Sequence, residues 1–390
     1  MTPSGETGAD AGGLLTQRRL TVGGTVLVVA GLLFALRAVD VDRVVGEILR
    51  ADPWLLAAAV AVYAASWPLR GRRYGDVLST TGHPLGTGFL TLAVFLSQTA
   101  NLVVPARGGD AVRAYVLKAR RDVPYPAGFA SLAVERGFDL ASIAVLAGAA
   151  TVWLVAGEST ALATLLAGDA RPVVLGAAGV ALATLLAGVL TLGVANAELS
   201  VNNRLRTAVA GRPRIQQVVD AGLDFAGDIA VVARDPRAVA VIGGGSLLIW
   251  SLDVATAVLV LAALDSGLAA GPLLAIGTLA VSVGNLAKVL PLSQGGVGLY
   301  EAAFTALVVA LTPIGASTAL AAAVVDHALK NAVTLVGGSG AVALLGISPS
   351  TAARRGKTAP TETTAVATDS PAATDARTDG SGGETRKADD

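Results

Sequence analysis

The sequence predicts an all-α fold, a polytopic helical membrane protein of about eight transmembrane helices plus re-entrant segments. Three observations predict it. Of 390 residues, 53% are hydrophobic and only 15% charged, with a mean hydropathy of +0.64; a soluble domain carries about a quarter charged residues. The apolar residues gather into runs of membrane-crossing length, separated by short polar segments. Basic clusters punctuate the runs at Arg18-Arg19, at Arg70, Arg72 and Arg73, between Arg204 and Arg214, and at Arg354-Arg355. Such clusters mark loops that face the cytoplasm. The 29 basic and 29 acidic residues cancel, so no nucleic-acid partner is expected. Cysteine is absent and only His83 and His327 represent histidine. Disulfides, thiolate metal sites and a histidine metal centre are thereby excluded, and no cofactor is expected.

Residues 1–17 are small and polar and read as a flexible lead, with no convincing signal-peptide cleavage site after Arg18-Arg19. The membrane domain is expected over 18–347. Leu20–Leu36 is a first span, and Arg37–Asp52 a short loop or interfacial helix. Asp52-Pro53 reads as N-cap and first helical residue. The span it opens, from Trp54 to about Leu69, stops at Arg70, Arg72 and Arg73. Thr87–Val104 carries Ser97, Gln98, Thr99 and Asn101 and ends on Pro105 and Gly108-Gly109. A polar, broken end suits a helix that stops inside protein rather than in lipid. A long helix follows from Pro124 to about Ala156, then an ordinary span, Pro172–Ala195.

Residues 196–237 have apolar positions at helical spacing in a polar, Arg-rich stretch, read as a cytoplasmic amphipathic loop. Asp235-Pro236 opens a span to about Leu264 that contains Asp253. Pro272–Leu290 holds Asn285 and Lys288 and breaks at Pro291–Gly296; Val297–Leu311 resumes with Glu301. Ser317–Leu345 carries Asp326, His327, Lys330 and Asn331. From 348 to 390 there is no Leu, Ile, Phe, Trp or Tyr, so a disordered tail is expected.

If Thr87–Val104 crossed the membrane, Arg107 to Arg121 would lie opposite the other basic clusters. A re-entrant dip puts all of them inside, giving a multi-pass cell-membrane protein with both termini cytoplasmic. The two breaks also resemble each other: Asn101, Pro105 and Gly108-Gly109 in one, Asn285, Pro291 and Gly295-Gly296 in the other. Glu135 lies nine residues after Pro126, and Asp326 nine after Ser317. Each acid sits about 13 Å along its helix, near the middle of a core about 30 Å thick. An inverted repeat is expected, with its two charge groups meeting near the midplane.

Charge at such depth needs a partner or a purpose. The candidate substrate-binding residues are Arg107, Asp110, Arg113, Glu135, Arg136, Asp139, Gly295, Gly296 and Glu301, with Asn285, Lys288, Asp326 and Lys330 secondary. Arg136 and Asp139 can pair on one helix face, as can Asp110 and Arg113. Such pairs form either a neutral helix–helix lock or a charged-headgroup site with Arg136 as anion contact. Arg107 and Arg113 are either ordinary cytoplasmic charge or, with the amides of Gly108-Gly109, an anion-binding helix start. Glu301 either pairs with Lys288 or Arg136, or titrates. Asp253 and the Asp326–Lys330 pair rank second, and His327 reads as a packed or lumen-facing polar residue. No P-loop, nucleotide fingerprint or Gly-x-Ser-x-Gly occurs, so a non-enzymatic role is expected.

Pro105-x-Arg107-Gly-Gly-Asp110-x-x-Arg113, Glu135-Arg136-x-x-Asp139 and Pro291-x-x-x-Gly295-Gly296-x-Gly298-x-x-Glu301 together carry a resemblance. From roughly Leu20 to Leu345 the chain resembles the transmembrane flippase-like domain of lysylphosphatidylglycerol synthases, also called uncharacterised protein family 0104. That family occurs alone or fused to an aminoacyl-transferase or glycosyltransferase, and neither partner domain is recognised here. The resemblance implies translocation of a membrane lipid, either an anionic phospholipid or a polyprenyl-linked lipid. In that reading Arg107, Arg113 and Arg136 hold the headgroup, while Glu135, Asp139 and Glu301 balance charge and couple protons. A membrane subunit presenting lipid to a partner transferase, and an ion-coupled solute transporter, are the alternatives. In the last helix Asp326-His327 stands where the resemblance leads one to expect a basic residue.

Overall fold

The computed structural model describes residues 40–103, 108–157, 229–288 and 293–347, with positions 216 and 227. Apart from one short 3-10 turn, the regular elements among them are α-helices: α1 (Val41–Arg50), α2 (Pro53–Thr80), α3 (Thr87–Val103), α4 (Gly108–Arg121), α5 (Tyr125–Gly157), α6 (Pro236–Ala263), α7 (Ala270–Ala287), α8 (Leu299–Leu311) and α9 (Ala316–Leu345). The lead, the spans at Leu20–Leu36 and Pro172–Ala195, Arg107, most of the 196–237 loop and the tail lie outside the described residues. Among the described residues α5, α6, α7 and α9 are long and apolar enough to cross a membrane, and a fifth span results if α1 and α2 count as one bent unit.

The Asp-Pro signals form the caps they predict. Asp52 accepts from the amides of Trp54 at 2.8 Å and Leu55 at 3.3 Å, and Asp235 from that of Arg237 at 2.9 Å. The Asp52 amide itself donates to the Ala263 carbonyl at 2.9 Å, tying this corner to the end of α6. There α1 and α2 meet at 83°. Val44 and Ile48 of α1 pack on the bundle, whereas Val41, Val45 and Leu49 are exposed. An amphipathic helix with those faces suits the membrane interface.

One expectation is corrected here. The second span does not stop at Arg70 but continues through Pro68 and the three arginines to Thr80. Two of those arginines are engaged within the protein, while Arg72 is exposed. Arg70 lies 5.8 Å and 5.7 Å from the ring centres of Tyr63 and Trp67, and Arg73 is buried against carboxylates.

The core is built on close helix approach. Ala319, Ala321, Ala322 and Ala323 of α9 are fully buried with Phe304 and Val308 of α8. Trp67 stacks on Phe95 at 3.6 Å between α2 and α3. A Cβ on Gly338 of α9 would stand 1.8 Å from Thr99 Oγ1 of α3. Small residues at such crossings let backbones approach where lipid gives little drive for burial.

The helix lengths repeat. α2 to α5 have 28, 17, 14 and 33 residues, and α6 to α9 have 28, 18, 13 and 30. Each run opens on Asp-Pro, breaks after its second helix, and ends on its longest; α2 and α6 pack along each other. The second break packs on the end of the helix that precedes the first. At the second, Gly295, Gly296 and Gly298 have φ of +63°, +76° and +85°, a region glycine enters without steric cost. A Cβ on Gly295 would lie 2.8 Å from Leu102, near the end of α3.

Candidate functional site

Two buried polar clusters lie among these helices. The first joins α2, α4, α5 and α6. Arg73 gives Nη2 to Glu135 at 2.6 Å and Nη1 to Asp139 at 2.5 Å and Ser246 at 2.7 Å. Arg113 gives Nη1 to the other Glu135 oxygen at 2.5 Å, and its guanidinium lies 4.8 Å from the Tyr74 ring. Asp139 also accepts from Trp250 Nε1 at 2.9 Å and Ser246 Oγ at 3.2 Å. Arg136 reaches Asp110 at 3.2 Å and Asp139 at 3.7 Å.

The geometry corrects several expectations. The Arg136–Asp139 contact forms, but Arg113 reaches across to Glu135 on α5 rather than to Asp110 on its own helix. Asp110 is thereby left to Arg136. The Gly109 amide is not open to an anion, because Asn101 Oδ1 accepts it at 2.9 Å. That glycine serves close packing: a Cβ there would stand 1.9 Å from the Ser97 carbonyl oxygen. Arg73 was missed as a site residue because it lies in a basic run that reads as a helix stop. The available signal was the apolar Tyr74, Val77 and Leu78 after it, all fully buried.

The second cluster joins α6, α7, α8 and α9. Lys330 lies 3.1 Å from Asp253 and 2.9 Å from Asp326, the latter the expected i,i+4 pair. Tyr300 donates its hydroxyl to Asp326 at 2.5 Å, and Asn285 donates to Asp253 at 3.4 Å. Glu301 is paired with neither Lys288 nor Arg136. Its Oε1 lies 2.7 Å from His327 Nδ1, and its Oε2 accepts the Gly298 amide at 2.7 Å. His327 is packed, as one reading of the sequence had it, at 2% exposure. Lys288 has no ion pair among the described residues; its ammonium lies 4.7 Å from the Tyr300 ring centre, and Gly296 packs on its alkyl chain. Asp253, ranked second from sequence, is thus a central member. No group of three or more metal-binding side chains occurs among the described residues.

Both clusters use α6, the first through Ser246 and Trp250 and the second through Asp253. Spacings of four and three put these residues on one face, spread over about 10 Å of helix. The clusters also share a register. Asp110, Glu135, Arg136 and Asp139 are followed at one constant interval of 191 residues (301 less 110, 326 less 135, and so on) by Glu301, Asp326, His327 and Lys330.

The electrostatics separate a lock from a contact. In the first cluster three guanidinium groups face three carboxylates. The side chains of Arg73 and Arg113 are 1% and 0% exposed, so two arginines are committed to helix pairing. Arg136 is 31% exposed. Buried N–H groups nevertheless go unpartnered among the described residues: Nε of Arg73 and Arg136, and Nε and Nη2 of Arg113. Arg136, partly exposed despite its two carboxylate contacts, and Lys288, without an ion pair among the described residues, are the least committed cations of the two clusters.

Among curated proteins, the chain is 47% identical over 352 residues to one named glycosyltransferase AglD from Haloferax volcanii, covering 87% of this chain and 56% of that protein. The chain thus spans little more than half the length of that relative. It is 29% identical over 306 residues to a UPF0104 membrane protein from Methanothermobacter thermautotrophicus, covering 75% of this chain and 85% of that one. The family model described as "Lysylphosphatidylglycerol synthase TM region" matches residues 21–338. The chain belongs to that family of helical membrane proteins.

Proposed function

We propose that this protein is a flippase-like membrane protein that binds a lipid with a phosphate-bearing or otherwise charged headgroup and moves it between leaflets. The observation that carries the reading is the pair of polar clusters beside the two helix breaks, each with one cation, Arg136 or Lys288, not fully engaged by the protein. A guanidinium offers a phosphate two parallel hydrogen bonds, and an ammonium offers a compact charge. Broken helices near mid-membrane are where transporters place their sites. Glu135 and Asp139 hold Arg73 and Arg113 in place, Asp110 orients Arg136, and Gly295 and Gly296 let the second break close on Leu102 and Lys288. Arg107, at the first break, is proposed as a further headgroup contact. The protein sits in the cell membrane with both termini cytoplasmic.

The relative named as a glycosyltransferase, of which this chain matches little more than half, favours one further reading. In it the domain presents lipid to a partner transferase without doing chemistry itself. The test is a liposome assay with purified protein. A membrane-impermeant quencher outside reports how fast labelled phosphatidylglycerol and a labelled polyprenyl phosphate change leaflet. Protein-dependent flipping of either supports the proposal; folded protein that flips neither leaves the presenting-subunit reading.

A further inference from the structure

We propose that the Glu301–His327 pair is a proton-binding site that loads together with the anionic headgroup, making translocation proton-coupled. The inference rests on the flippase reading and adds its energy source.

The register of the two halves carries it. Asp110 is the third residue of α4, and Glu301 the third of α8; Arg136 is the twelfth residue of α5, and His327 the twelfth of α9. Both pairs therefore join the short helix after a break to the long helix that follows, at 3.2 Å and 2.7 Å. In the first half the cation is permanent. In the second it exists only when the imidazole holds a second proton.

His327 is the only basic group in ion-pair contact with Glu301 among the described residues. The other charged groups nearby are committed or apart. On α9 Lys330 bridges Asp326 and Asp253, the latter from α6. On α8 Tyr300 gives its hydroxyl to Asp326. Just past α7, Lys288 lies over Tyr300, within electrostatic reach of Glu301. On α2 Arg70 lies over Tyr63 and Trp67, within electrostatic reach of Asp253. α3 brings no titratable side chain. α1 packs among Ala319 to Ala323, with Asp42, Arg43 and Arg50 exposed and Glu47 half-buried.

An anion arriving at Lys288 thus meets the Glu301 carboxylate, balanced only if His327 is protonated. With Nδ1–H donated to Glu301, the incoming proton takes the Nε2 lone pair and leaves from it. Proton and anion then favour each other's binding by the same factor. Because Glu301 also holds the Gly298 amide, the charge of the pair bears directly on the turn that forms the break.

The experiment measures leaflet exchange of labelled phosphatidylglycerol in liposomes with and without an imposed pH gradient, the membrane potential being clamped. For wild type the rate is expected to change with the gradient, by at most about tenfold per pH unit for one titrating proton. In His327→Gln and His327→Arg the ratio of the two rates is expected to fall to one, whatever the absolute rate. A wild-type rate indifferent to the gradient, or a variant that keeps the wild-type ratio, overturns the inference while leaving the flippase reading standing. No flipping by folded wild type under any gradient overturns both. Should the variants misfold, proton uptake by solubilised wild type on adding dioctanoyl phosphatidylglycerol decides. Uptake is expected, and its absence overturns the proposal.

Discussion

Arg73 holds two carboxylates of α5 at once and takes a serine of α6 with the same guanidinium. Removing it would leave Glu135 with Arg113 alone and Asp139 with the half-exposed Arg136. Breaking a buried pair by deleting one partner costs about 3–5 kcal/mol. Arg73→Met is therefore expected to lower the thermal melting temperature in detergent sharply. Arg73→Lys should recover only part of the loss, because one ammonium cannot reproduce the fork. Gly109→Val is expected to destabilise as well, since any Cβ there meets the Ser97 carbonyl oxygen at 1.9 Å. At this scale Glu135, Arg136, Asp139 and Glu301 were legible because an ionised residue stands out in an apolar helix. Their partners were not. Spacing along one helix says which residues can pair there, and it found Arg136–Asp139 and Asp326–Lys330. It is silent on Arg73–Glu135 or Glu301–His327, whose partners come from other helices.

Helix starts were more legible than helix ends. Asp52-Pro53 and Asp235-Pro236 each combine a side-chain acceptor with a residue that lacks an amide hydrogen, and both cap as read. Asp52→Ala is expected to cost about 1 kcal/mol, measurable as a small fall in melting temperature. The end of α2 was misread because basic residues do not by themselves terminate a helix, and here the protein receives Arg70 and Arg73 while Arg72 is exposed. The second break depends on backbone shape rather than on polarity. Gly298, at φ +85°, begins α8 and gives its amide to Glu301. Gly298→Ala is expected to cost about 1 kcal/mol or more through the left-handed backbone alone. It should also loosen the Glu301–His327 contact, seen as a shifted histidine ring resonance.

Across the whole molecule the two four-helix runs match in helix length and in the register of their charges, and α2 packs on α6 where the runs meet. The sequence exposed this repeat through Asn, Pro and Gly-Gly at the breaks, but the constant interval between the charge groups stood out only once helix boundaries were known. The topology proposed from the basic clusters puts both termini on the cytoplasmic side. Because the chain has no cysteine, Ser4→Cys and Ser370→Cys each give a single label site. Both are expected to react with an impermeant maleimide only from the cytoplasmic face, and labelling of either from outside would contradict the topology. The central claim is that Arg136 and Lys288 are the headgroup contacts of the two clusters. The most direct measurement is the leaflet-exchange rate of labelled phosphatidylglycerol by wild type, Arg136→Gln and Lys288→Gln in the same liposomes, each shown to be folded. A fall of about tenfold or more in both variants, some 1.4 kcal/mol of lost stabilisation, is the expected result. Folded variants that flip the lipid as fast as wild type would contradict it.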